Sequence, residues 1–187
     1  MGFFDFLSSK RKIEERKNKL MEELNLFIEQ IKIKKKIEPI TTDLFLKEGE
    51  NAYLSESVTL LETRAVRHHV TGGGGFRVMR GVYVGGASGT SESKDEWRVI
   101  DKGFLTLTNE RLIFDGNKED RIIPLKKIIS VKASLDSIEI STETRKKSML
   151  FTVNNPLIWG TVIQVLIKNG PNLEGIDDIK INILSEK

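Results

Sequence analysis

The chain has 187 residues, 39% apolar and 30% charged, and no cysteine. This is enough apolar material for a core and excludes a disordered chain; the length fits one domain with an appendage or two small ones. The lack of cysteine excludes disulfides and Cys-ligated zinc or iron–sulfur centres, and agrees with a reducing cytoplasmic setting. The formal charge is +3, and its excess is local: residues 1–36 carry ten Lys/Arg against six Asp/Glu, the remainder 20 against 21. A balanced body argues against a nucleic-acid-binding face. No run of about 18 apolar residues suggests a spanning helix. The opening Met1-Gly2-Phe3-Phe4-Asp5-Phe6-Leu7 does not fit a secretory signal, and Phe6 stands where myristoylation needs Ser or Thr.

The first element is a helix over 9–36. Its apolar residues Ile13, Leu20, Leu24, Phe27 and Ile31 fall at steps of seven, four, three and four, with Ser8 or Ser9 as cap. Glu15–Lys19 and Glu14–Lys17 add charge pairs at helical spacing. Lys17 breaks the stripe, so docking on the body is expected ahead of a two-stranded coiled coil. Glu38-Pro39 ends the helix. Thr42–Leu46 reads as one helical turn, and Gly49 as part of a connector. From Val58 the pattern turns to β: a strand through Ala65, a glycine turn at 71–75, a strand Phe76–Val84, and a Gly/Ser-rich loop at 85–95. Strands then follow at 97–101 and 104–108, divided near Gly103, and at 111–115, 121–124, 128–133, 137–141 and 149–153. Short strands with regular turns point to an antiparallel sandwich or barrel. The period changes once more at Asn155, a good N-cap, with Pro156 as first helical residue and Asn169-Gly170-Pro171 as stop. Ile179, Ile181 and Ile183 alternate in the tail, as an edge strand or a loose end.

One stretch resembles a known family. Asp101-Lys102-Gly103-Phe104-Leu105-Thr106-Leu107-Thr108-Asn109-Glu110-Arg111-Leu112-Ile113-Phe114-Asp115-Gly116, followed by Ile123-Pro124-Leu125-Lys126-Lys127-Ile128, is similar to the central hairpin of bacterial PH-like (pleckstrin-homology-like) and GRAM-like domains. The final strand and single amphipathic helix at 149–169 fit the same family. The resemblance is firm over about 97–169 and weaker over 44–96. It implies a mainly β fold with α: a PH-like antiparallel β-barrel or sandwich capped by the C-terminal helix, here preceded by an amphipathic helix. The expected divisions are a helical arm at 1–40, the PH-like domain at 41–170 and a tail at 171–187. Family members bind lipid headgroups, peptides or other proteins, and fold alone does not choose among these.

No catalytic pattern stands out. Gly72–Gly75 lacks the Lys-Ser/Thr of a P-loop and precedes a strand. No serine lies in a G-x-S-x-G elbow. His68 and His69 are neighbours on a strand and point to opposite faces, a poor metal pair. Trp97 and Trp159 read as core or barrel-end residues. The candidate ligand-binding residues are the cations around the glycine loop: Arg64, Arg67 and His69 before it, Arg77 and Arg80 after it. The resemblance places phosphate-binding cations loosely there. If Val70 pairs with Gly74, Arg67 faces Arg77 and Arg64 faces Arg80, a conflict that a bound anion would relieve. Phe3, Phe4 and Phe6 with Lys10, Arg11 and Lys12 form a second candidate, for partner packing or an anionic membrane surface. The sequence reading is a non-enzymatic module without a cofactor. Its expected partner is a protein or a second copy through the N-terminal helix. The alternative is peripheral binding to anionic lipid at the inner membrane face.

Overall fold

The computed structural model describes residues 3–72, 76–79, 82–84, 88–145 and 147–170, with side chains outside 3–9 and 65–95. The elements are α1 (Phe3–Lys34), β1 (Ala52–Gly72), β2 (Phe76–Met79), β3 (Val82–Val84), β4 (Ser88–Thr108), β5 (Arg111–Gly116), β6 (Arg121–Pro124), a 3-10 turn (Leu125–Lys127), β7 (Ile128–Ala133), β8 (Ser137–Thr142), β9 (Met149–Thr152) and α2 (Pro156–Asn169). Two compact units result, one of Met1–Glu62 with Val99–Lys187 and one of Thr63–Arg98.

Seven strands form one sheet in the order β6-β5-β4-β1-β9-β8-β7. The mainly β expectation with a helix at each end therefore holds, but the sheet is open: β6 and β7 are its two edges. It is nonetheless strongly curled. β5 and β9 are separated by two strands, about 14 Å on a flat sheet, yet the rings of Phe114 and Phe151 lie 5.7 Å apart. The curled face encloses Leu60, Leu105, Leu107, Leu112, Ile138, Ile140 and Met149. Alternation does this: Leu105 and Leu107 point in, while Phe104 stays exposed.

The hairpin register explains the two glycines of the motif. Gly103 pairs with Gly116, and a Cβ at Gly103 would run into the carbonyl oxygen of Asp115. Gly103 thus permits close approach and does not interrupt the strand, contrary to the sequence reading; β4 passes through it unbroken.

α2 matches its signals. Asn155 Oδ1 accepts from the N–H groups of Leu157 and Ile158, both at 3.1 Å, and Gly170 follows the helix at φ +65°. Val162, Ile163, Val165 and Leu166 are buried beneath it. Trp159 is also buried, and its Nε1 donates to Glu56 at 2.5 Å. α1 docks on the body through Leu20 and Leu24, which cluster with Ala133 and Leu157. Asn155 joins both helices, because its Nδ2 donates to the Leu20 carbonyl at 3.3 Å and to Glu23 at 2.8 Å. Asn155→Ala removes cap and tether together. The expected loss is about 1–2 kcal/mol of stability, read as a shift in the urea midpoint.

Several sequence expectations need correction. α1 starts at Phe3 and ends at Lys34, so Ser8 and Ser9 lie inside it and do not cap it. Its end is set before Pro39, where Lys35 turns to φ +54° and brings Ile37 into the core. The stripe proposed for a coiled coil is largely spent on the body. Thr42–Leu46 is no helical turn; Thr42 Oγ1 accepts from the N–H of Leu44 at 3.3 Å and makes a bend. β1 starts at Ala52, ahead of Val58, where Ala52 bridges to Ile40. The expected strand 76–84 is two strands, β2 and β3, paired with each other. Residues 88–95, expected as loop, belong to β4; a polar strand offers no apolar alternation to announce it. Trp97 lies in the second unit and is 41% exposed, outside the core that Ile100 borders. The tail at 171–187, with Ile179, Ile181 and Ile183, lies outside the described residues.

Candidate functional site

The residues singled out from sequence divide into two groups. Arg64 is exposed on β1. The side chains of Arg67, His69 and Arg77, and Arg80 altogether, lie outside the described residues. The backbone of Arg77 lies on β2 opposite Tyr83, and β1 has β4 and β9 as its neighbours. The expected Arg67–Arg77 pairing is therefore not the register found: a β2–β3 hairpin forms instead. Phe3, Phe4 and Phe6 lie in α1, with side chains outside the described set. Lys10, Arg11 and Lys12 are exposed, and Arg11 pairs with Glu15 at 2.9 Å.

A groove lies elsewhere, at the β6 edge beside the end of α2, with a volume of about 600 Å³. Ile122, Pro124, Leu125, Leu166 and Ile167 form its apolar part, and Lys47, Glu110, Arg111 and Lys126 its charged rim. The local sequence explains both. Ile123 on β6 turns into the core, so Ile122 turns away and is 60% exposed. Ile167 sits at the margin of the buried stripe of α2 and is 42% exposed. Pro124 has no N–H for an incoming strand, which blunts this short edge against pairing.

Beneath the rim lies a hydrogen-bonded polar cluster. The Glu50 side chain is fully buried. It accepts from Arg111 Nε at 2.8 Å and Nη2 at 2.9 Å, from Thr108 Oγ1 at 2.7 Å, and from the N–H of Lys47 at 3.0 Å. Burial pushes the Glu50 carboxyl up, but these bonds and the Arg111 charge outweigh it and hold the carboxyl at about 2. Asn109 completes the clamp. Its Oδ1 accepts from the N–H of Asn51 at 2.8 Å and its Nδ2 donates to the Gly49 carbonyl at 3.2 Å. Lys47 Nζ pairs with Glu110 at 2.9 Å. In sequence, Thr108-Asn109-Glu110-Arg111 is only the turn between the expected strands 104–108 and 111–115, with a residue of each. Here each of its residues fastens the 47–51 segment. Glu50 escaped the sequence reading, because its partner lies far along the chain and no local spacing links them.

The other charged clusters are internally paired. Asp101 accepts from the N–H groups of Lys102 at 2.8 Å, Lys118 at 2.5 Å and Glu119 at 3.0 Å. Burial opposes its ionised form, but these bonds win and hold its carboxyl below the usual range. It fixes the β5–β6 turn. Glu62 accepts from Arg121 at 3.4 Å and Arg145 at 2.9 Å, and Arg121 also pairs with Glu119. A smaller groove of about 170 Å³ lies beside these arginines. Its wall includes Thr142, whose buried Oγ1 has no hydrogen-bond partner among the described residues. Among the described residues, no three His, Asp or Glu side chains converge as a metal ion requires, and no helix is long and apolar enough to cross a membrane.

Comparison with known proteins adds no relative: no family model matches the sequence, and no curated protein matches it.

Proposed function

We propose that the chain is a non-enzymatic interaction module of PH-like type, and that its groove between β6 and the end of α2 holds an aliphatic segment of a protein partner. The observation that carries this reading is the groove itself. Two aliphatic side chains, Ile122 and Ile167, are exposed together in the wall of this concavity of about 600 Å³. Around them the charges are paired, Lys47 with Glu110 and Arg111 with Glu50, and Lys126 is exposed with no ion pair among the described residues. That composition suits an apolar anchor with an adjacent carboxylate on the partner. The PH-like component rests on the hairpin motif, which falls on β4 and β5, on the Ile-Pro-Leu segment at the end of β6, and on the final strand leading into one amphipathic helix. The titratable groups that stand out by burial, Glu50 and Asp101, are consumed in structural bonds, which favours binding over catalysis.

The test is selection from a random peptide display library against the whole chain. Wild type is expected to enrich peptides with aliphatic residues beside Asp or Glu. Ile122→Asp/Ile167→Asp, both surface changes, is expected to lose that enrichment, while Phe45→Asp, at a side chain 98% exposed and outside the groove lining, keeps it. Enrichment that both groove substitutions leave unchanged would sink the assignment.

A further inference from the structure

α1 has two faces, and the body uses one of them. Leu20, Leu24 and Ile31 are buried, with Phe27 and Ile28 packed beside them. Away from that face run Lys12, Glu15, Lys19, Glu22, Leu26, Glu29 and Ile33, at alternating steps of three and four and all exposed. That spacing keeps them in one stripe along the helix. Leu26 is 55% and Ile33 83% exposed. Glu15 and Lys19 have helical partners in Arg11 and Glu23, whereas Lys12, Glu22 and Glu29 have no ion pair among the described residues.

We propose that this outward stripe is a self-association surface, on which α1 of a second copy lies antiparallel about a twofold axis. The sign pattern chooses the direction. Lys12 and Lys19 occupy the N-terminal part of the stripe; Glu22 and Glu29 occupy the C-terminal part. A parallel pair sets lysine on lysine and glutamate on glutamate. An antiparallel pair centred between Leu20 and Met21 sets Lys19 against Glu22 of the second copy and Lys12 against Glu29 of the second copy. Twofold symmetry makes each contact twice. Leu26 then lies across from Glu15 of the second copy, whose methylene stem covers it. The 32 residues of α1 span about 48 Å, room for a continuous seam. With charges dominating and few aliphatics, the association is weak and sensitive to salt. The seam is distinct from the face docked on the body and from the groove proposed for a partner, so it stands or falls independently of that reading.

Sedimentation velocity on the full chain tests this. The wild type is expected to dimerise with rising concentration, and less so in high salt. Lys12→Glu/Lys19→Glu makes every charge of the stripe acidic, and Glu22→Lys/Glu29→Lys makes every charge but Glu15 basic. Each is expected to weaken the dimer by at least about tenfold. An equimolar mixture of the two is expected to recover a mixed dimer, at least about tenfold tighter than either variant with itself. A mass of one chain up to about 1 mM protein, equal dimerisation of both variants, or a mixture no tighter than its components would each overturn the proposal. So would a wild type that remains monomeric yet floats with anionic vesicles, which would assign the stripe to a membrane surface.

Discussion

Replacing Arg111 with methionine is expected to cost about 3–5 kcal/mol of folding stability near neutral pH, since it leaves a buried carboxylate without its cation. Glu50 loses both guanidinium bonds and keeps only those from Thr108 and the Lys47 N–H. The double change Glu50→Gln/Arg111→Met is expected to recover a substantial part of the loss, because it removes the stranded charge as well. pH separates the cases. The folded value of about 2 lies below the ordinary 4.5 of the group, so the unfolded chain takes up the proton first. The stability from this group is therefore complete above about pH 4.5 and is lost as pH falls towards about 2. Urea unfolding of wild type at several pH values should show that decline, and the double variant should lack this contribution. A penalty of under about 0.5 kcal/mol for Arg111→Met would show that the pair does not hold the β4–β5 turn against the 47–51 segment.

The second large effect concerns the curl of the sheet. Phe151 on β9 is fully buried and leans against Phe114 on β5. Phe151→Ala removes a contact across two intervening strands and leaves a cavity that the surrounding ladders resist closing. The expected cost is about 3–5 kcal/mol, read as a lower urea midpoint at unchanged slope. Phe45 is the internal control. It is 98% exposed, and Phe45→Ala should stay within about 0.5 kcal/mol. Similar losses at both positions would mean that the enclosed face of the sheet is not the stabilising core.

The legible parts of this chain are those whose cause is local. Asn155-Pro156 and Gly170 mark α2 because caps are set by residues in the turn itself. The alternation of Leu105, Leu107, Leu112 and Phe114 marks the hairpin because one face is buried. The start of β4 was not legible: at 88–95 the strand is written in Ser, Gly and charged residues, which carry no period. Nor was the open sheet, since strand order depends on the pairing of Leu60 with Phe151, which lie far apart in the chain. At the candidate site, the hairpin turn could be found but its function as a clamp could not. The groove was missed because Ile122 and Ile167 read as ordinary members of a strand and a helix; only the packing shows that they are left uncovered together. The cations expected to act lie mainly in Thr63–Arg98, where all their side chains but that of Arg64 are outside the described residues.

The strand order has one more consequence, for how the gene can change. The seven-stranded sheet consists of two runs of sequential neighbours joined by one ladder, β1 with β9. Between the end of β1 at Gly72 and the start of β4 at Ser88, strands that are themselves neighbours, the chain makes an excursion through β2 and β3. Closing a flexible loop costs only about 0.6 kcal/mol more for each doubling of its length. Insertions and deletions at that excursion are therefore inexpensive to the sheet, whereas a single residue added within β1 or β9 reverses which side chains meet the core. The fold leaves one place free to vary in length while holding the register of its remaining ladders fixed.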